Sequence, residues 1–283
     1  MMKIRTGLLL AALSPFAHAD IVTTIKPLTL IAAEVTAGIE RPVQLLPDGL
    51  SAHDYSLRPS DRQLLQKADL VIWVGPMHER FLSGLLNGKP RVLNVSGLPD
   101  LKRLPLRRLE DSTALPGSLD THVWLDPDNA IIIAKAMADT LGRQQPALAA
   151  RYQANAARFA THLKQQWAPL RQRVVALPRR DYAAYHDAYQ YLEKSLGLGF
   201  AGSLSTSPES RPGAKHLWVM KQRIKERGIT CLVREPASSA ALLQQVAANG
   251  SGLAVLDETF RSADSFVAGL TGLGKTMESC LQH

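Results

Sequence analysis

The sequence predicts an α/β protein of two lobes joined by one long helix. Short apolar, often β-branched runs alternate with helical patterns in the first half of the chain. The same alternation returns in the second half, and an apolar stripe at helical spacing lies between the two. At 283 residues the chain suits two modest domains of about 100–200 residues each. With 46% hydrophobic and 20% charged residues, 19 Gly and 17 Pro, it is neither disordered, collagen-like nor coiled coil. Two cysteines are too few for a disulfide-built scaffold.

Residues 1–19 read as a removable signal peptide. Lys3 and Arg5 give the basic start, residues 8–13 the apolar run, and Ala17-His18-Ala19 the small residues that a signal peptidase reads. The apolar run is far shorter than the roughly 20 residues of a membrane span. No cysteine at the cleavage point marks a lipid anchor. The mature chain from Asp20 is therefore expected free in a periplasm, as a monomer that does not itself span a membrane.

The first lobe, 20–145, carries strands at 21–25, 43–46, 70–74 and 92–95. The second closes on the turn Pro47-Asp48-Gly49, and the third, apolar throughout, stops at Gly75-Pro76 as a strand buried on both faces should. Ser60 with Gln63 three residues on reads as a capping box, and 79–86 as a further helix. The connector, 146–177, is the most regular segment. Leu148, Tyr152, Ala156, Phe159, Leu163, Trp167, Leu170 and Val174 share one helical face over some 27 residues, about 40 Å at 1.5 Å per residue. Pro169 is expected to kink or loosen its end. The last lobe, 178–283, carries strands at 181–185, 198–202, 229–233 and 253–256, with helices at 187–196, 213–226, 238–248 and 264–281.

The formal charge falls from +8 to +6 when Lys3 and Arg5 leave with the leader. The one basic cluster, Lys102, Arg103, Arg107 and Arg108, has no interleaved aromatics, so it is read as a solvated loop and nucleic acid is not expected as a partner. Four residues near strand ends could carry chemistry: His53, His122, His186 and Asp257. Ligands of open α/β sheets bind outside the carboxyl ends of the strands. Three neutral imidazoles and a carboxylate suit a tetrahedral zinc ion. A histidine at a strand end also serves as a hydrogen-bonded core residue, and spacing alone leaves that alternative open.

The segments around these residues resemble a known family. SAHDYSLRPSD at 51–61, THVWLDP at 121–127 and YHDAYQYLEKSLGL at 185–198 are similar, in that order, to the ligand motifs of periplasmic zinc-uptake binding proteins, the solute-binding components of metal ABC transporters. Leu256-Asp257 stands where many relatives place a carboxylate, and GPMHERFL and PGAKHL also look family-like. The resemblance implies two Rossmann-like α/β lobes joined by one long rigid connector helix, with Zn2+ as the transported ligand in the cleft between them. It implies His53, His122 and His186 as ligands and Asp257, or a water molecule, as the fourth. An inner-membrane ABC permease is the implied partner. Relatives that carry manganese usually replace the third histidine with Glu, whereas His186 keeps the imidazole and favours zinc. A general divalent carrier is the alternative.

The chain departs from that pattern twice. The stretch 100–121, where many relatives hold a His-rich loop, contains no histidine, and Ala52 precedes His53 where some relatives have Glu. Among the other histidines, His162 and His216 read as surface residues and His283 as a mobile terminus. His78, following the third strand, is a candidate accessory ligand. Cys231 and Cys280 in an oxidising compartment are read as one disulfide, in keeping with the resemblance, with buried free thiols as the alternative. A secreted zinc hydrolase would need an open zinc position and a general base, and the chain has neither HExxH nor GxSxG. No enzyme is expected.

Overall fold

The computed structural model describes residues 20–50, 52, 55–248 and 250–283. The expected signal peptide and His53 lie outside the described residues. In the first lobe β1 (Ile21–Thr23) leads into α1 (Lys26–Val35), which opens on Pro27, a residue preset for a helix start. β2 (Val43–Gln44), α2 (Pro59–Lys67), β3 (Leu70–Trp73), α3 (Ser83–Leu86) and β4 (Val92–Asn94) follow. The strands pair in the order β2-β1-β3-β4, all parallel. α4 (Pro127–Gln144) then packs beside α5 (Ala149–Val175).

The second lobe repeats this plan. β5 (Asp181–His186), α6 (Gln190–Leu196), β6 (Gly199–Ser205), α7 (Ala214–Glu226), β7 (Cys231–Arg234), α8 (Ala240–Val246), β8 (Gly252–Val255) and α9 (Phe266–Leu281) follow in order. Its sheet runs β6-β5-β7-β8, again all parallel. In both sheets the first and third strands of the lobe stand side by side, with the chain leaving to opposite sides. That is the switch point at which open α/β sheets bind ligands.

α5 is the connector read from the apolar stripe. It is 27 residues long, buries Tyr152, Phe159, Leu163, Trp167, Leu170 and Val174, and continues through Pro169 to Val175. It packs on α1 and α4 in one lobe and on α9 in the other. The close crossing with α9 needs Gly274, where a Cβ would stand 2.5 Å from Leu170 Cδ2. One hydrophobic core therefore runs from β1 and β3 through the stripe to β5, β7 and α9, and a second, smaller core lies beneath α7 and α8. Cys231 and Cys280 form the disulfide that ties β7 to α9.

Local details differ from the sequence expectation. α2 starts at Pro59 behind Arg58, not at a Ser60 cap, because the Asp61 carboxylate accepts the Arg58 N–H at 2.8 Å. Residues 80–82 form a 3-10 turn before the short α3. α6 begins at Gln190, since the Asp187 side chain is drawn to Arg107. α1 and α4 are additions. In α4 the β-branched run Ile131-Ile132-Ile133 masks a helix that Asp126 caps through Asp128 N and Asn129 N, at 2.9 and 3.3 Å.

Candidate metal centre

Each imidazole in the cleft is set by the chain just beyond a strand or turn. The backbone between β4 and α4 delivers His122 into a one-turn 3-10 helix, Val123–Leu125, whose three side chains are buried. Asp120, two residues earlier, fixes the ring: its Oδ1 lies 2.8 Å from His122 Nδ1 and also accepts the His122 N–H at 3.1 Å. A carboxylate on one ring nitrogen sets the tautomer and orientation of the ring, the kind of outer support that ligating histidines have. The other Asp120 oxygen accepts Gln190 Nε2 from α6 at 3.1 Å. The support of His122 thus reaches across to the second lobe.

His186 is the last residue of β5 and is 7% exposed. Its Nδ1 stands 3.5 Å from Glu235 Oε1, just beyond β7. Burial disfavours the charged ring, but Glu235, with Glu258 and Asp187, turns the net direction of its pKa upward. The centres of the His122 and His186 rings are 5.5 Å apart. Ala52, His78, His122, Trp124, His186 and Glu258 line one cavity between the lobes. Trp124 Nε1 donates to Glu258 O at 3.0 Å and closes one side of it.

The two neighbouring acids at the end of β8 behave differently. Asp257 Oδ1 accepts from Thr259 N and Oγ1, and Oδ2 from Arg261 N. It lines an adjoining cavity with Glu235 and Arg261. Glu258 faces the histidine cavity, and its Oε2 is buried with no hydrogen-bond partner among the described residues, as are both oxygens of Glu235. Burial, together with Glu235, pushes the Glu258 carboxyl up to about 8. Glu235 Oε1 has only the His186 ring beside it, at 3.5 Å, and carboxyl oxygens buried without a hydrogen bond are a costly arrangement in the interior. A cation would relieve it.

Sequence reasoning missed Glu235, Glu258 and Asp120. Asp120 was open to detection as the carboxylate two residues before a histidine. Glu235 and Glu258 become visible only when β5, β7 and β8 are placed side by side. The reading of the basic cluster as a solvated loop is corrected at Arg107, while Lys102, Arg103 and Arg108 are exposed. Arg107 is largely buried, donates to both oxygens of Asp187 and to Glu193 Oε2, and stacks 3.7 Å from the Phe200 ring centre. Lys102 pairs with Asp126 at 2.8 Å. His216 is likewise engaged, its Nε2 2.8 Å from Ser203 O, whereas His162 is exposed as expected.

Comparison with known proteins bears on the family and the fold. The family described as zinc-uptake complex component A, periplasmic, matches residues 21–279. The high-affinity zinc uptake system protein ZnuA of Yersinia pestis is 34% identical, covering 98% of this chain and 96% of that protein. The ZnuA of Haemophilus ducreyi is 33% identical over 82% of each chain. Among solved structures, the laminin-binding protein Lmb of Streptococcus agalactiae superposes with a TM-score of 0.80 at 21% identity, over 93% of this chain and all of that one. A crystal structure of ZnuA gives 0.79 at 21% identity, over 93% and 99%. At such identities the structures speak for the fold, and the sequence matches speak for the family. The chain belongs to the periplasmic zinc-uptake component A family of solute-binding proteins.

Proposed function

We propose that this chain captures Zn2+ in the periplasm and delivers it to an inner-membrane ABC permease, holding the ion as cargo. The observation that carries this reading is the meeting of His122 and His186 from opposite lobes, each with its Nδ1 turned to a buried carboxylate. His53, His122 and His186 supply the imidazoles, which suit zinc better than the harder manganese ion. The fourth position falls to a carboxylate of the Asp257–Glu258 pair. Asp257 is engaged by Thr259 and Arg261, so the geometry favours Glu258. Residues 1–19 direct export and are removed.

In this reading three imidazoles and one carboxylate fill the four positions of a tetrahedral zinc ion and leave none for a catalytic water. A closed site suits a carrier and not a hydrolase. Release follows when docking on the permease draws the second lobe's groups off the ion. Among the described residues no helix is long and apolar enough to cross a membrane.

The test is a competitive titration of the metal-stripped mature protein with zinc and manganese against a chromophoric chelator. One zinc per chain, with much weaker manganese, is expected. His122→Ala and His186→Ala should each cost more than the 10–100-fold typical of an outer-shell partner. Comparable manganese binding, or no loss in His186→Ala, would overturn the assignment of the third ligand. Hydrolysis of an activated ester above the rate of free zinc would overturn the carrier reading itself.

A further inference from the structure

α7 turns two faces of opposite character to its surroundings. Leu217, Met220 and Ile224 pack into the smaller core of the second lobe, and His216 Nε2 lies 2.8 Å from Ser203 O. The opposite face carries Lys215, Trp218, Lys221 and Lys225, all exposed. At 3.6 residues per turn these four fall within about 120° of the helix circumference, with Trp218 between the lysines. From Lys215 to Lys225 the face is about 15 Å long at 1.5 Å per residue. A charged helix face is commonly no more than solvated surface, and three observations argue for more here.

The first is the tryptophan. Trp218 is 64% exposed, more than any other large apolar side chain among the described residues. It forgoes the burial that Trp73, Trp124 and Trp167 obtain. The second is the state of the cations. The arginines of this region are engaged, Arg223 with Ala201 O and Glu110 O, and Arg227 with Asp181 Oδ2 and Phe200 O. Lys215, Lys221 and Lys225 form no ion pair among the described residues. The third is the surroundings. Between Ser210 and Leu256 the only acids are Glu226, the last residue of α7, and Glu235, which is buried. α8, which packs beside α7, has no charged residue.

We propose that this face of α7 docks the second lobe on an anionic lipid surface. Indole rings settle at the level of lipid headgroups, and lysines near an anionic membrane are drawn to it. A protein partner fits less well, because protein interfaces favour Arg and are depleted in Lys. α7 starts six residues beyond Pro208, which lines the cleft cavity. Docking by this face therefore brings a loop of the cleft close to the lipid. A carrier so held searches for its permease along the membrane surface and not through the whole compartment. That use rests on the carrier reading above, whereas the surface itself does not depend on zinc.

The experiment floats the mature chain with vesicles of phosphatidylglycerol and phosphatidylcholine, and with vesicles of phosphatidylcholine alone, at low and high salt. Since the other three tryptophans are buried, a quencher dissolved in the water reports on Trp218. Binding to the anionic vesicles alone, weakened by salt, is expected, with Trp218 protected from the quencher. Lys215→Gln/Lys221→Gln/Lys225→Gln should weaken it about 100-fold, at about fivefold for each lysine, and Trp218→Ala about tenfold. Both variants should hold zinc as the unaltered chain does, since none of these residues lines the cleft. No binding to anionic vesicles, or full binding by the triple variant, would overturn the proposal. So would lysine-dependent retention on immobilised polyglutamate with none on the vesicles, which would assign the face to an acidic protein. A chain that binds the vesicles but not zinc would overturn the carrier reading alone.

Discussion

The two lobes share one strand order, yet they offer a metal different chemistry. Around the first lobe's switch point the structure places imidazoles whose Nδ1 atoms are each within hydrogen-bond distance of an oxygen, His78 of Thr121 and His122 of Asp120. Around the second stands one imidazole, His186, among carboxylate oxygens that have no hydrogen-bond partner among the described residues. The first half is settled without an ion and the second is not. A cation should therefore do more for the order of the second lobe than for that of the first, because it gives a partner to carboxyl oxygens that have no hydrogen bond among the described residues. The same topology has been filled with imidazoles on one side and with one imidazole among carboxyl groups on the other.

The largest expected effect tests whether the second lobe depends on its covalent tie. Cys231 and Cys280 are 49 residues apart in sequence. A loop of that length is worth about 4 kcal/mol on the chain-entropy model. Cys231→Ser/Cys280→Ser should lower stability by about that much in denaturant unfolding, while zinc affinity changes little, since neither sulfur lines the cleft. A large loss of zinc affinity would show that the β7–α9 tie also sets Glu235, and the two halves would be less separable than drawn here.

The next effect concerns what joins the lobes. Arg107 comes from the first lobe and reaches Asp187 and Glu193, on either side of the start of α6. Breaking a buried pair by removing one partner costs about 3–5 kcal/mol. Arg107→Ala should fall near the lower end, because Asp187 retains some access to water. Asp187 adjoins His186, so this variant should also loosen zinc, by less than tenfold if the ring is held mainly by its strand. An unchanged melting temperature would restore the reading of this segment as a solvated loop.

Much of this was legible in the sequence because it rests on short-range pattern. The eight strands and the connector come from apolar runs and one helical stripe, and His122 and His186 stand beside strand or turn signals. Other features depend on three-dimensional neighbours. Nothing local distinguishes Arg107 from Arg108, yet one is buried beneath Phe200 and the other is not. Asp257 and Glu258 are adjacent acids at the end of one strand. The Thr259 hydroxyl and the Arg261 N–H decide which carboxylate is occupied, and pattern reading does not see them. α4 was hidden for another reason, its three successive isoleucines having strand character.

The last comparison replaces one acid by its amide in each half. Asp120 accepts from the His122 backbone, stands 2.8 Å from the His122 ring and accepts from Gln190. Asp120→Asn keeps the shape but puts an N–H where an acceptor is needed. It should lower the metal-free melting temperature by several degrees, about 1–2 kcal/mol for a lost charged hydrogen bond in the interior. Glu235 is 1% exposed, and neither of its oxygens has a hydrogen-bond partner among the described residues. Glu235→Gln keeps the shape of a side chain that the metal-free protein holds only loosely, with His186 Nδ1 at 3.5 Å, so it should melt no lower than the parent without zinc. With zinc the two should behave alike, each binding about 10–100-fold more weakly, because each loses the carboxylate that supports a ligating imidazole. Opposite effects without metal and equal effects with it are what separate a half-site complete by itself from one that the ion completes. If Glu235→Gln destabilised the metal-free protein as much as Asp120→Asn does, Glu235 would be a structural acid, and the asymmetry between the lobes would lie in Glu258 alone.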